Sequence, residues 1–507
     1  MIFSRPSVQG LSYLILSLTA LTTPVVGLVL PRGADGPCDI YANGGTPCVA
    51  AHSSTRALFG AYSGPLYQVI RNSDGQTIDI NAVAPGGIAD GGAQDSFCKG
   101  STCLISILYD QSGTGNDLNQ SQGGHFPGPQ PNGWDDMSGA VGAPVTVGGQ
   151  RVYGTFIHPG SGYRNNGAVK TAHGDGAEGM YAVIDGTHFN DGCCFDYGNA
   201  EIDGTDTGNG HMEAIYFGTN KVWGTGSGDG PWVMADLENG LFSGENPANN
   251  PQNPTISDRF LTAIVKGEPS HWAIRGGAAS SGLTSFYDGA TPDAEGYNPM
   301  SKEGAIILGV GGDNSKAAQG TFYEGVMVTG FPTDETENAV QANINSVGYA
   351  TAPISGPSLS FDSTISLRVT TPGYDTRSIA HDGATVNTQT GGGANHNWVV
   401  RKGLAQSECY SFESVDSPGS FIRHYDFALQ VNAQDGTKTF QEDATFCTEG
   451  GLGADATVAL RSWSFPSRYF RHYANVVYIA TQGRGFRDFD NPAHFIDDVS
   501  FVVGNAL

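Results

Sequence analysis

The chain has 507 residues, enough for two to four domains. It carries 25 basic against 50 acidic residues, a formal net charge of −25. That balance disfavours nucleic acid and anionic membranes as partners, because phosphate binding needs Lys/Arg clusters and the sequence has none.

Only 15% of residues are charged and no acidic block stands out, so the simplest meaning of the acidic balance is a surface suited to solution outside the cell. An aromatic content of 10% argues against disorder, and 73 glycines among β-branched and aromatic residues point to many short strands and tight turns.

The first thirty or so residues read as a secretory signal. Arg5 supplies the positive start, an apolar run extends from Leu11 through Val29, and small residues follow at Gly27 and Ala34. The run approaches a membrane span in length, but its place at the extreme N-terminus favours a signal over residues 1–27. Cleavage after Gly27, Arg32 or Ala34 is left open. No later stretch is long and apolar enough to span a membrane, so a secreted protein is expected.

Eight cysteines in a secretory context favour four disulfides. Proximity suggests Cys38 with Cys48 and Cys98 with Cys103, and Cys409 with Cys447 in the C-terminal region. Cys193 and Cys194 are adjacent, where a bridge is uncommon. A zinc site is the rival there, but no Cys-x-x-Cys or clustered His accompanies the pair. Neither metal nor other cofactor is expected. Asn119-Gln120-Ser121 is a glycosylation sequon, whereas Asn253 is followed by Pro.

From Cys38 to Val347 the chain reads as strands: Leu104–Tyr109, Glu213–Gly218, Leu261–Lys266, Ala305–Val310 and Thr321–Thr329 are short, rich in β-branched or aromatic residues, and bounded by turn formers. Two segments offer carboxyl groups for chemistry. In Trp232–Gly240, alternation puts Asp236 and Glu238 on one face of a strand, among apolar neighbours. In Ile306–Ser315, an apolar strand ends in Gly311-Gly312-Asp313-Asn314, where glycines let a substrate approach the backbone and Asp313 stands at the rim. Each could equally be a turn residue or a solvated strand face. Glu324 is a rival acid, but reads better as a hydrogen-bonded structural residue.

A helix is expected over Asp334–Val347, capped by Asp334 with Glu337 as its capping-box partner and stopped by Gly348. A linker at 350–357 separates a domain at 35–349 from one at 358–507. The second domain holds an internal repeat. Ser366–His381, Tyr410–His424 and Ala459–His472 align, with histidines 43 and 48 residues apart. Each unit then places Asn395, Asp443 or Asp498 three residues before an aromatic.

Three such units make one closed threefold domain, for which a β-trefoil is the natural candidate. A lone His would read as a core residue. A His recurring with an Asp, beside Tyr425 or Tyr473, reads better as a sugar pocket, since imidazole and carboxylate meet vicinal hydroxyls and Tyr offers an apolar face. Asn395 in the first unit makes that site weaker or absent. A sugar-binding appendage suggests a glycosidase, which works through two carboxyl groups. The alternative is a secreted lectin-like protein. No Gly-x-Ser-x-Gly, His-Glu-x-x-His or P-loop competes.

Gly36-Pro-Cys-Asp-Ile-Tyr, Thr46-Pro-Cys-Val-Ala-Ala-His-Ser-Ser-Thr-Arg, Ile107-Leu-Tyr-Asp-Gln-Ser-Gly-Thr-Gly-Asn-Asp-Leu, Gly192-Cys-Cys-Phe-Asp-Tyr-Gly-Asn, Met234-Ala-Asp-Leu-Glu-Asn-Gly and Gly311-Gly-Asp-Asn-Ser together resemble the fungal α-L-arabinofuranosidase B family. This is glycoside hydrolase family 54 with a C-terminal arabinose-binding module of family 42. The resemblance spans the whole mature chain. It implies a concanavalin-like β-sandwich followed by a β-trefoil. It also implies retaining hydrolysis of terminal α-L-arabinofuranosyl groups from arabinoxylan and arabinan.

By motif, Glu238 is then the nucleophile and Asp313 the acid/base. Asp236, Asn239 and Gly312 contact the furanose, Trp223 and Met212 line the pocket, and Cys193–Cys194 is a vicinal disulfide facing the sugar. The module's sugar pairs are His424 with Asp443 and His472 with Asp498. The expected partners are arabinose-substituted plant cell-wall polysaccharides, met by a monomer.

Overall fold

The computed structural model describes residues 1–2 and 35–507 except 247, 451 and 454–456. Residues 3–34, including nearly all of the expected signal and its cleavage region, lie outside the described residues. The described residues from 35 onward pack as one unit. Its secondary structure is overwhelmingly β, and all of the strand ladders are antiparallel; no helix of the described residues is long and apolar enough to cross a membrane.

Two sheets build the chain up to Thr351. A nine-stranded sheet centres on Glu178–Ile184 and Gly320–Thr329, with Leu261–Glu268, His271–Ala278 and Thr284–Ala290 beyond the former. A ten-stranded sheet runs through Trp232–Asp236, Glu213–Gly218, Asp196–Ala200 and Ala305–Leu308, and on to Thr77–Asn81 at its far edge. Tyr181, Ile264 and Val326 from the first meet Tyr67, Val233 and Ile306 from the second in one apolar core. The expected strands are present, with ends shifted by a few residues; the first, for instance, is Cys103–Leu108.

The helix spans Asp334–Val347, as its pattern requires, and ends at Gly348 with φ 68°. Its cap differs from expectation. Thr333 is the N-cap, its hydroxyl accepting the N–H of Thr336, while Asp334 is the first helical residue. Glu337 does not close a capping box, because it turns inward to the buried cations Arg275 and Lys266, at 2.5 and 3.1 Å. The expected linker also starts as structure: Ala350–Thr351 pairs with Ala143–Val147 at the sheet edge.

Beyond it, twelve strands form a second β unit around Leu367, Trp398, Phe412, Phe446 and Phe470. Pairing of Arg377–Asp382 with Thr385–Thr390 helps close it into a barrel. All four disulfides are formed: Cys38–Cys48, Cys98–Cys103, Cys193–Cys194 and Cys409–Cys447.

Candidate active site

Side-chain alternation in Trp232–Asp236 creates the floor of the site. Val233 and Ala235 enter the main core, while Trp232 and Met234 face the other way, onto Cys193, Cys194, Tyr216 and Leu241. Asp236 continues that outer row. Its cross-strand partner Ala214 packs with Met212, Ile307 and Val310. Asp236 therefore enters an apolar floor, with Oδ2 3.3 Å from Cys194 Sγ.

Burial pushes the Asp236 carboxyl up to about 7, with Asp196 as the partner that draws it down. Burial, then Asp236 itself, pushes Asp196 well above the ordinary range. Asp196 is thus the member of the pair that keeps its proton more readily, and both of its buried oxygens lack a hydrogen-bond partner among the described residues. Cys193, Cys194 and Asp236 converge as metal ligands would, but the two sulfurs are bonded to each other and offer no thiolate.

Glu238 is not on the strand, contrary to the alternation argument. The strand ends at Asp236, and Asp236 pairs with Leu241 across a hairpin whose loop contains Glu238 and Asn239. Glu238 has φ 79°, a value that the first central position of such a loop normally reserves for glycine. The turn redirects its side chain. Oε1 accepts the N–H groups of Thr207 and Gly208 at 2.6 and 2.8 Å, and Oε2 meets the N–H and Nδ1 of His211 at 3.1 and 2.8 Å. The N–H of Glu238 donates to Asp236 at 3.0 Å. Burial alone would raise the Glu238 carboxyl, but the Thr207, Gly208 and His211 donors outweigh it and hold it below its ordinary value. Glu238 is the ionised carboxylate of the site.

Asp313 follows Ala305–Leu308 and a sharp turn. Its Oδ1 accepts the N–H of Ser315 at 2.8 Å, leaving a half-buried carboxyl at the rim. The loop is fixed from below: Asn314 is fully buried and bonded to Ser121, Asp135 and the Phe126 carbonyl. Arg164 donates to the Gly312 carbonyl at 2.6 Å and also to the Glu201 carbonyl. The Cys194 N–H donates to Ser315 O at 3.2 Å and the Ala317 N–H to Cys193 O at 2.9 Å, so the vicinal disulfide borders the Asp313 loop.

Gly312 has no room for a side chain. A Cβ there would stand 1.7 Å from Glu201 Oε2. Glu201 is buried, both its oxygens lack a donor, and burial with Glu238 as a neighbour pushes it up to about 9. It is a neutral acid beside an ionised one.

The structure brings Asp236, Glu238, Gly312, Asp313 and the disulfide together. Met212 lies in the floor, Asn239 in the loop beside Glu238, and Trp223 is 42% exposed on a neighbouring loop. Sequence reasoning did not find Asp196, Glu201, Arg164 or His211. Asp196 falls within the quoted Gly192–Asn199 motif, which gave it no role, and nothing in the sequence pattern marks Glu201, Arg164 or His211. Glu324 is structural as read, buried between Arg56, Tyr181 and Tyr349. Asn119 is exposed on Leu118–Gln120.

In the C-terminal unit, His424 Nε2 lies 3.1 Å from Asp443 and His472 Nε2 3.4 Å from Asp498. Each carboxylate also accepts from the preceding arginine, Arg423 at 2.6 Å and Arg471 at 3.0 Å. Tyr425 is 61% exposed and Tyr473 half-exposed beside them. A cavity of ≈ 460 Å³ opens at His472, Tyr473 and Asp498. The first unit differs more than Asn395 suggested. Ala380 and Asp382 replace the Arg and Tyr flanking the His, Asn395 donates to the His381 carbonyl, and His381 pairs with Asp416 at 2.8 Å.

Residues 37–350 match the model of the alpha-L-arabinofuranosidase B catalytic domain, and 367–503 that of the alpha-L-arabinofuranosidase B (ABFB) domain. The chain is 62% identical to a probable alpha-L-arabinofuranosidase B of Aspergillus clavatus, over 95% of this chain and 97% of that one. It is 62% identical to an arabinofuranosidase/B-xylosidase of Trichoderma koningii, over 94% and 96%. A solved arabinofuranosidase complexed with arabinofuranosyl-alpha-1,2-xylobiose superposes with a TM-score of 0.92 at 58% identity, covering 93% of this chain and 99% of that one. The chain belongs to the alpha-L-arabinofuranosidase B family of glycoside hydrolases.

Proposed function

We propose that this protein is a secreted, retaining α-L-arabinofuranosidase that removes terminal non-reducing α-L-arabinofuranosyl groups from arabinoxylan and arabinan. The observation that carries the reading is Glu238, an ionised carboxylate fixed by three backbone N–H groups and His211 beside the rim acid Asp313. A relative complexed with an arabinofuranosyl-xylobiose supports the substrate class.

Glu238 attacks the anomeric carbon and forms the glycosyl–enzyme ester. Asp313 gives its proton to the departing oxygen, then takes one from the water that cleaves the ester, so the anomeric configuration is retained. Such a pair works with carboxyl groups roughly 5–5.5 Å apart. Asp236, Asn239 and Gly312 bind the furanose hydroxyls, while Trp223, Met212 and the Cys193–Cys194 disulfide shape the pocket.

The two paired sheets with a shared core are read as a β-sandwich catalytic domain over 35–349. The barrel with its threefold His contacts is read as a β-trefoil over 358–507, joined by 350–357. It holds arabinose at His424, Tyr425 and Asp443, and at His472, Tyr473 and Asp498. Four disulfides agree with an oxidising, extracellular setting. The exposed Asn119 is its glycan site. We take the working form as a monomer on arabinose-substituted plant cell-wall polysaccharides, with no nucleic-acid or membrane partner.

Replacing the nucleophile tests the reading. Glu238→Gln should abolish arabinose release, and added azide should restore turnover with a glycosyl azide of inverted configuration. Rescue with unchanged configuration would remove Glu238 from that role. Because one relative's name adds β-xylosidase, a 4-nitrophenyl β-D-xyloside belongs in the substrate panel.

A further inference from the structure

The segment ending at Phe126 is tied to the Asp313 loop through its backbone. The Phe126 N–H donates to the Asp313 carbonyl at 3.3 Å. The Phe126 carbonyl accepts from Asn314 Nδ2 at 3.0 Å and from Lys316 Nζ at 3.1 Å. Two residues earlier, a Cβ on Gly124 would meet the Gly204 carbonyl at 2.1 Å and the Asp313 carbonyl at 3.0 Å, so the segment lies against the loop only because that position is glycine.

The Phe126 ring is treated differently from its backbone. It is 45% exposed and joins none of the apolar clusters. Its ring neighbours are polar or charged: the His125 imidazole at 4.8 Å, edge-on, and the Lys316 ammonium at 5.8 Å. A large apolar side chain anchored so firmly and left uncovered beside the general acid needs a partner.

We propose that Phe126, with His125 and Lys316, forms the platform for the leaving-group sugar of the polysaccharide. The inference rests on Asp313 as the general acid. Asp313 must reach the oxygen that departs, so the sugar ring joined to that oxygen lies on the Asp313 side of the site. On the reading above, the arabinose itself lies against Asp236, Met212 and the disulfide. The platform offers what a pyranose needs: an aromatic face for its C–H bonds, and the ammonium and imidazole for its hydroxyls. The occupant is the xylose backbone unit that carries the arabinose branch.

The test compares two substrates that differ only beyond the scissile oxygen: arabinofuranosyl-α-1,2-xylobiose and methyl α-L-arabinofuranoside. In Phe126→Ala the ratio of their kcat/KM values should fall about tenfold or more against the xylobiose substrate, as loss of an apolar contact allows. Phe126→Trp should restore the ratio. A ratio within twofold of wild type in Phe126→Ala, or an equal fall on both substrates, would overturn the proposal. Failure of the underlying reading would appear elsewhere: Asp313→Asn would slow substrates with good and poor leaving groups alike, and the inference would fall with it.

Discussion

The left-handed φ at Glu238 is a local cost, about 1–3 kcal/mol for a residue other than glycine, met by a carboxylate that takes five hydrogen bonds. That arrangement fixes the direction of attack rather than leaving it to a flexible side chain. Gly312 is the complementary constraint, since the space of its missing Cβ is filled by Glu201. Gly312→Ala must displace either the buried acid or the Asp313 loop. We expect kcat/KM on 4-nitrophenyl α-L-arabinofuranoside to drop by about 10²-fold, as for a displacement of about 1 Å, with circular dichroism unchanged. Wild-type activity in that variant would contradict the close packing. The sequence shows Glu238, Asp313 and the Gly pair through local context. It hides Asp196 and Glu201, because those acids reach the site through the register of Asp196–Ala200 against Glu213–Gly218, and of that strand against Trp232–Asp236. Local periodicity cannot report a partner two strands away.

The repeat shows how much an element's pattern carries. His381, His424 and His472 each reach a hydroxyl outside their own hairpin: Ser414 at 3.1 Å, Ser464 at 2.7 Å and Thr371 at 2.8 Å. The shared His therefore has a structural share in all three units, as expected of a core histidine. What separates the units is the Arg before the His and the Tyr after it, present at 423 and 425 and at 471 and 473, replaced at 380 and 382. The tyrosines are legible in the repeat, whereas the arginines show their part only through their ion pairs with Asp443 and Asp498. His424→Ala and His472→Ala should each reduce retention on insoluble arabinoxylan, measured by pull-down, with kcat on 4-nitrophenyl α-L-arabinofuranoside as the folding control. Loss of that kcat would assign these histidines to the fold instead. The helix makes a related point: the pattern located its whole length, but Glu337 was taken by Arg275 and Lys266, a contact that no local rule contains.

Across the whole molecule the two β units are joined by specific contacts. Trp463 meets Phe156 and His188, Phe465 meets His158, and Gln319 donates to Glu442 at 2.9 Å. Gln319 lies six residues past Asp313, and Phe465 touches His424, so the second-unit pocket and the catalytic loop share one supporting interface. Charge sets the pH response. Burial pushes Asp135, Glu178, Asp236 and Asp443 up to about 7 and Glu201 up to about 9. Unfolded, these groups titrate at about 3.9 for Asp and about 4.3 for Glu. The folded chain thus holds extra protons, and their stabilisation is full below about pH 4 and lost as pH rises through 7 to 9.

The buried histidines oppose this at lower pH. Burial depresses His188 and His424, the latter to about 3, so their contribution is full above about 6.5 and lost as pH falls through the folded values. The two trends oppose each other between about 4 and 6.5; above that range the raised carboxyls, joined by His211, lower stability together. Calorimetry should show Tm falling steadily from pH 6.5 to pH 9, and falling less in Glu201→Gln. A flat or rising Tm over that interval would contradict these protonation states.

The central claim is that Glu238 carries the nucleophilic oxygen and Asp313 does not. An arabinofuranose-configured cyclic sulfate, which a nucleophilic carboxylate opens to a stable ester, tests it directly by peptide mapping in a mass spectrometer. A single adduct on Glu238 is the predicted result. An adduct on Asp313 or Asp236, with Glu238 unmodified, would contradict it.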